Sequence, residues 1–148
     1  MVWKPHVTVA AVIERDGKFL LVEEETDSGI RYNQPAGHLE CRETLTDAVA
    51  REVLEETGCT FAPQYLIGVY NWRNEAKDLT YLRFTFGGEV VAQDAQRQLD
   101  TGIIAAHWLS LDEIRAVQAR LRSPMVMRCI DDYLSGQRYP LELLKDLA

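Results

Sequence analysis

At 148 residues the chain is long enough for one domain that buries roughly 68–70% of its unfolded surface. Its apolar and charged fractions, 47% and 26%, are ordinary for a globular protein, whereas a net charge of −7 with no basic face excludes a role dominated by nucleic-acid backbones. The same charge repels a free polyphosphate, so phosphate chemistry here needs its own positive charge, for which a bound divalent cation is the natural source.

In chain order, residues 7–13 and 19–22 are β-rich, and Asp16-Gly17 between them predicts a tight hairpin. Residues 23–31 are polar and read as a loop around Gly29. Residues 32–39 hold Pro35 and Gly37 and read as an irregular extended segment. Thr44, with Asp47 three residues on, predicts a capping box. Good helix formers then run to Thr57, and Gly58 is placed to be a left-handed C-terminal cap. Strands are expected over 65–72 and 79–86, with a short piece at 89–91, a polar loop over 93–102 and a last strand over 105–109. Helices are expected over 111–121 and 124–134, the second opening at Ser123-Pro124. The expected architecture is a mixed sheet with a few helices packed on it, α+β or α/β in class. It forms a single domain over 1–148, with a C-terminal helical segment at about 123–136.

Cys41, Cys59 and Cys129 are odd in number and form no Cys-x-x-Cys pair, which fits a reducing compartment better than a disulfide framework or zinc site. The first apolar run is broken at once by Glu14-Arg15-Asp16, with no cleavage pattern behind it. No stretch approaches the ~20 apolar residues of a membrane span. The expected location is the cytoplasm, with no membrane or nucleic-acid partner, as a monomer or homodimer.

The informative segment runs from Gly37 to Cys59. At ~100° per residue, Glu52, Glu55 and Glu56 share one helix face, and Leu45, Ala48 and Val49 project onto the same sector one to two turns earlier. A helix seated on a sheet through Leu45 and Val49 carries its glutamates along the rim of that contact. Two carboxylates ~5–6 Å apart repel by about 3 kcal/mol at an effective dielectric of 20, against ~0.2–0.5 kcal/mol for a solvated i,i+4 pair. A partly dry rim therefore calls for a counter-charge, and Mg²⁺ suits it, being a hard cation that keeps waters for a phosphate to replace. Three glutamates on an arbitrary helix are more often a solvated face. Here, however, Gly37, Glu43, Arg51, Glu52, Glu55, Glu56 and Gly58 all stand at set spacings. Chance agreement is on the order of a few in a billion per starting position at ~6% usage each.

This segment resembles the Nudix box, Gly-x5-Glu-x7-Arg-Glu-aliphatic-x-Glu-Glu-x-Gly-aliphatic, at every charged and glycine position. Cys59 stands where an aliphatic residue is usual, and Ala36 and Arg42 replace glycines often seen there. The resemblance implies an α/β/α sandwich with a mixed sheet, in which the box forms a loop-helix-loop metal site. It implies Glu52, Glu55 and Glu56 as metal ligands, with the Gly37 carbonyl a further one, and Arg51 bridging to Glu43 to orient them. Mg²⁺, with Mn²⁺ as the alternative, would polarise phosphoryl oxygens and activate a water. Glu52 or Glu55 would be the base. Some members recruit an acid from a later loop, for which Asp100 is the candidate, against its reading as an ordinary loop aspartate.

Residues 4–10, 33–40 and 135–142, with Arg122-Ser123-Pro124, resemble the NudJ-type phosphatases of that family. That implies release of inorganic phosphate from nucleoside tri- and diphosphates and from thiamine pyrophosphate or its hydroxymethylpyrimidine precursor. The alternative within the class is a nucleoside triphosphate pyrophosphohydrolase or nucleotide-sugar hydrolase. The alternative from another class is a ligand-sensing or RNA-associated Nudix module without turnover, against which all three glutamates argue.

Five residues are weaker candidates for the nucleotide or pyrophosphate substrate. Arg83 alternates with Tyr81 and Thr85 on a strand and is a candidate phosphate contact. Trp72, and less so Tyr32 and Trp108, are candidates to stack on a ring, set against ordinary packing. Lys4 is a further phosphate candidate, while His6 reads as structural.

Overall fold

The apolar run that opens the chain serves two sheets, and it changes between them at Ile13. In the computed structural model, which describes residues 2–147, β1 (His6–Val12) pairs antiparallel with β5 (Ala36–His38) and parallel with β7 (Leu79–Gln93). β7 in turn pairs antiparallel with β6 (Cys59–Asn74), giving a mixed sheet of order β5-β1-β7-β6. The second sheet is antiparallel and centres on β3 (Lys18–Thr26), which pairs with β2 (Glu14–Arg15), β4 (Gly29–Asn33) and β8 (Ile103–Ser110). The described residues also form three α-helices, α1 (Leu45–Thr57), α2 (Leu111–Ala116) and α3 (Met125–Leu134).

Burial on both faces explains why β1 and β3 read as continuous apolar runs rather than alternating ones. Val9, Ala11 and Leu20 pack under α1 with Val49 and Val53, whereas Val12, Phe19 and Leu21 pack with Ile114 of α2 and Ile130 of α3. Helices on opposite sides of the strands make the α/β/α sandwich. The tail is fastened to β6: Leu66 and Tyr139 exchange backbone hydrogen bonds at 2.8 Å, and the Arg138 guanidinium lies 4.5 Å from the ring centres of both Tyr65 and Tyr133.

Several local expectations are corrected. Asp16 (φ 52°) and Gly17 (φ 76°) do form a two-residue left-handed turn. It joins β2 to β3, however, because β1 has already left for the other sheet. Residues 23–31 are a hairpin and not a loop. Two of their charges find distant partners, Glu23 with His107 of β8 at 3.0 Å and Glu24 with Arg122 ahead of α3, so polarity does not exclude pairing. The strands expected over 79–86 and 89–91 are one strand. Gly87 and Gly88 do not interrupt it; they admit the Tyr65 ring and the Ala62 carbonyl, which a Cβ would strike. Thr44 caps α1 by accepting from the Asp47 N–H at 3.1 Å, but no reciprocal bond forms, since aspartate is shorter than the glutamate a full box uses. The full box is at α2, between Ser110 and Glu113. That helix ends at Ala116 and continues as a 3₁₀ turn over Gln118–Arg120. The terminal residues of the expected domain, Met1 and Ala148, lie outside the described residues. Among the described residues no helix is long and apolar enough to cross a membrane.

Candidate active site

α1 is fixed at both ends, by Thr44 and by left-handed Gly58, whose N–H bonds to the Leu54 carbonyl at 2.9 Å. Its buried stripe runs Ala48, Val49 and Val53 and then continues into Glu52 and Glu56, each only 8% exposed. Fully buried Val49 and Val53 contribute roughly 1.5–3 kcal/mol apiece. They hold the helix against the sheet and so carry its acidic end out of water.

What receives those carboxylates is the β5 segment. A Cβ on Gly37 would overlap the Glu52 carboxyl group, so the close approach requires glycine. Glu56 Oε1 accepts the Ala36 N–H at 3.0 Å. Arg51 ties the remainder together. Its Nε and Nη2 donate to Glu43 at 2.6 and 3.0 Å, and Nη1 donates to Glu52 at 2.8 Å and Glu55 at 2.9 Å. Nη2 also reaches the His38 carbonyl at 3.0 Å. Glu40 approaches its Nε at 3.1 Å. This network holds Arg51 firmly protonated, chiefly through its bond to Glu43, and Arg51 lowers Glu43 in return.

One guanidinium does not balance so many acids. Burial raises Glu52 against the pull of Arg51, and burial, with Glu52, Glu24 and Asp100 nearby, pushes Glu56 up to about 9. Asp100 is brought in by its own backbone, whose N–H bonds to the Glu55 carbonyl at 3.0 Å. Carboxylate oxygens of Glu52, Glu55 and Asp100 thereby lie within 4.8 Å of one another. Glu56 stands outside that trio but lines the same cavity as Glu52 and Gly37. The donors are all hard carboxyl oxygens, crowded and under-compensated, a set that fits Mg²⁺ or Mn²⁺ and not a soft metal.

The adjoining cavity has a volume of about 570 Å³. Besides those residues, Arg83, Trp72 and Tyr81 line it, with Thr8, Asn33, Glu24 and Arg122. Trp72 stacks on Tyr81, centroids 5.8 Å apart at 20°. Arg83 is 4% exposed and donates to Gln34 Oε1 at 3.0 Å and Asn33 Oδ1 at 3.3 Å. Lys4 is exposed and lines no part of the cavity. Tyr32 also lies outside it, beneath the Arg120 guanidinium and beside His107, and Trp108 sits under Arg15. His6 packs between His38 and Tyr81. His38 itself is held below the usual histidine range by burial, then by His6 and Arg122. Sequence reasoning singled out neither Thr8 nor Asn33. Its available signal was a threonine between Val7 and Val9 on an otherwise apolar strand.

Comparison with known proteins agrees with this geometry. The NUDIX domain family matches residues 4–129. The phosphatase NudJ of Escherichia coli K12 is 47% identical over 145 residues, covering 97% of this chain and 93% of that one, and the Shigella flexneri protein matches to the same extent. Among solved structures, a NUDIX hydrolase from Nitrosomonas europaea is 57% identical with a TM-score of 0.95, covering 97% of this chain and 98% of the other. A MutT protein from Methanosarcina mazei is 28% identical with a TM-score of 0.71, covering 93% and 99%.

Proposed function

The chain belongs to the Nudix hydrolase family, enzymes that act on phosphoanhydrides, and from that premise we propose that it is a Mg²⁺-dependent phosphatase of organic pyrophosphates. Its proposed substrates are nucleoside tri- and diphosphates and thiamine-type pyrophosphates, with inorganic phosphate as the product. The observation that carries the reading is the convergence of Glu52, Glu55 and Asp100 oxygens within 4.8 Å beside a cavity. The name of the NudJ relatives, phosphatase, supports phosphate as the product. A net charge of −7 supports a small-molecule substrate over nucleic acid, and the reading has the enzyme at work in the cytoplasm.

In this proposal Glu52, Glu55, Glu56 and Asp100, with the Gly37 carbonyl, would hold the cation, and Mn²⁺ satisfies the same donors. When bound, the cation supplies charge to neutralise the phosphoryl oxygens and lowers the pKa of a water. Arg51 fixes the Glu52 and Glu55 carboxylates through one shared nitrogen while Glu43 holds its other edge. A carboxylate of the Glu52–Glu55 pair takes the proton of the attacking water. Trp72 and Arg83 meet the rest of the substrate within the cavity.

Hydrolysis in ¹⁸O-water with product identification tests the reading. Phosphate without pyrophosphate is expected, with turnover dropping at least ~10²-fold in Glu55→Gln. Pyrophosphate as the product would overturn the phosphatase assignment, and turnover indifferent to chelator would overturn the whole proposal.

A further inference from the structure

Two polar atoms on the sheet face of the cavity are buried and bonded to nothing, Arg83 Nε and Thr8 Oγ1. Their residues are 4% and 7% exposed. Thr8 and Arg83 are register partners in the parallel β1–β7 ladder, so their side chains stand next to each other on one face, and both line the cavity. The remaining Arg83 nitrogens bond only to neutral amide oxygens of Gln34 and Asn33. Among the described residues no carboxylate lies within ion-pair distance of this arginine. Gln34 is itself immobilised by donating to the Val126 carbonyl at 2.8 Å, which holds the guanidinium in one attitude.

A buried guanidinium without a counter-charge is costly to keep, and an unbonded N–H and an unbonded hydroxyl on neighbouring residues add to that cost. A ligand bringing negative charge and several oxygen acceptors would remove both. We propose that Arg83 and Thr8 form a subsite that binds one phosphoryl group of the substrate directly, without metal. The inference rests on the phosphoanhydride reading and deepens it. The acidic end of the cavity takes the substrate through a cation, whereas the β1–β7 end takes a second phosphoryl group through protein donors. Tyr81, two residues before Arg83 on the same face, carries the Trp72 stack and offers a planar organic group a surface alongside. The substrate class is therefore a planar ring carried on at least two linked phosphoryl groups.

Titration of the metal-stripped protein with inorganic pyrophosphate, followed calorimetrically, tests the subsite apart from turnover. Wild-type protein should bind. Arg83→Met should weaken binding at least ~30-fold, and near-isosteric Thr8→Val, which leaves the Arg83 hydrogen bonds intact, ~3- to 10-fold. Glu52→Gln, though defective in turnover, should bind at least as tightly as wild type because it removes a repelling carboxylate. Unchanged affinity in both Arg83→Met and Thr8→Val, or binding that appears only once Mg²⁺ is added, would overturn the subsite. If wild type turned over no phosphoanhydride with metal yet lost pyrophosphate on Arg83→Met, the proposed reaction would fall and the subsite would stand.

Discussion

Arg51 is part-buried and Arg83 buried, and their surroundings are opposite. Arg51 touches Glu40, Glu43, Glu52 and Glu55, whereas Arg83 touches only the amide oxygens of Asn33 and Gln34. The α1 side of the cavity therefore holds more negative charge than its one cation offsets, and the β7 side holds a positive charge that nothing offsets. Each side is electrostatically incomplete, and the proposed metal-bound pyrophosphate substrate would complete both. Surface ion pairs are worth little. What gives these contacts weight is that burial makes imbalance expensive and so makes the missing partner specific.

The largest break in that contrast comes from Glu52, which sits against Gly37 and belongs to the carboxylate trio. Glu52→Gln should lower kcat by ~10³-fold, measured by phosphate release at saturating Mg²⁺. A drop below tenfold would mean that the trio is not where the reaction is organised. Next is Arg51→Lys. An ammonium cannot bond Glu43, Glu52, Glu55 and the His38 carbonyl together, so activity and Mg²⁺ affinity should fall ~10- to 100-fold, read by Mg²⁺ titration. Unaltered Mg²⁺ affinity would show that Arg51 does not orient the ligands.

The smallest effect is on stability against pH. Glu56 titrates from 4.5 in the unfolded chain to about 9 in the fold, pushed up first by burial. The native state thus binds the extra proton between those values, so stability from this group is complete below about 4.5 and is lost as pH rises toward 9. Melting of the metal-stripped protein should decline over that interval, and Glu56→Gln should flatten the decline. An identical slope in wild type and variant would show that Glu56 is not the group responsible.

α1 was legible in the sequence almost to the residue, because a helix carries its own period and caps: Thr44, Gly58 and the passage from Ala48 and Val49 to Glu52 and Glu56 on one face are local facts, whereas Val53 joins that stripe and Glu55 leaves it only in the fold. The hairpin over 23–31 was not legible, because Glu23 and Glu24 are reconciled with a strand only by His107 and Arg122, each more than 80 residues away in sequence. Asp100 carries no local sign that separates it from other loop acids. What places it is a backbone bond to Glu55, which periodicity does not encode. Arg83 showed its alternation but not its isolation, since the absence of a carboxylate neighbour is a property of the assembled sheet.

Gln34 gives its amide N–H to the Val126 carbonyl of α3 and its oxygen to Arg83, so a helix on the outer layer governs the aim of a side chain in the middle of the molecule. If Arg83 meets the substrate as proposed, substrate preference would depend in part on α3. A shift in how α3 lies on its bed would re-aim the guanidinium without the substitution of any residue, and on the proposed reading the C-terminal helix would then serve discrimination as well as the scaffold.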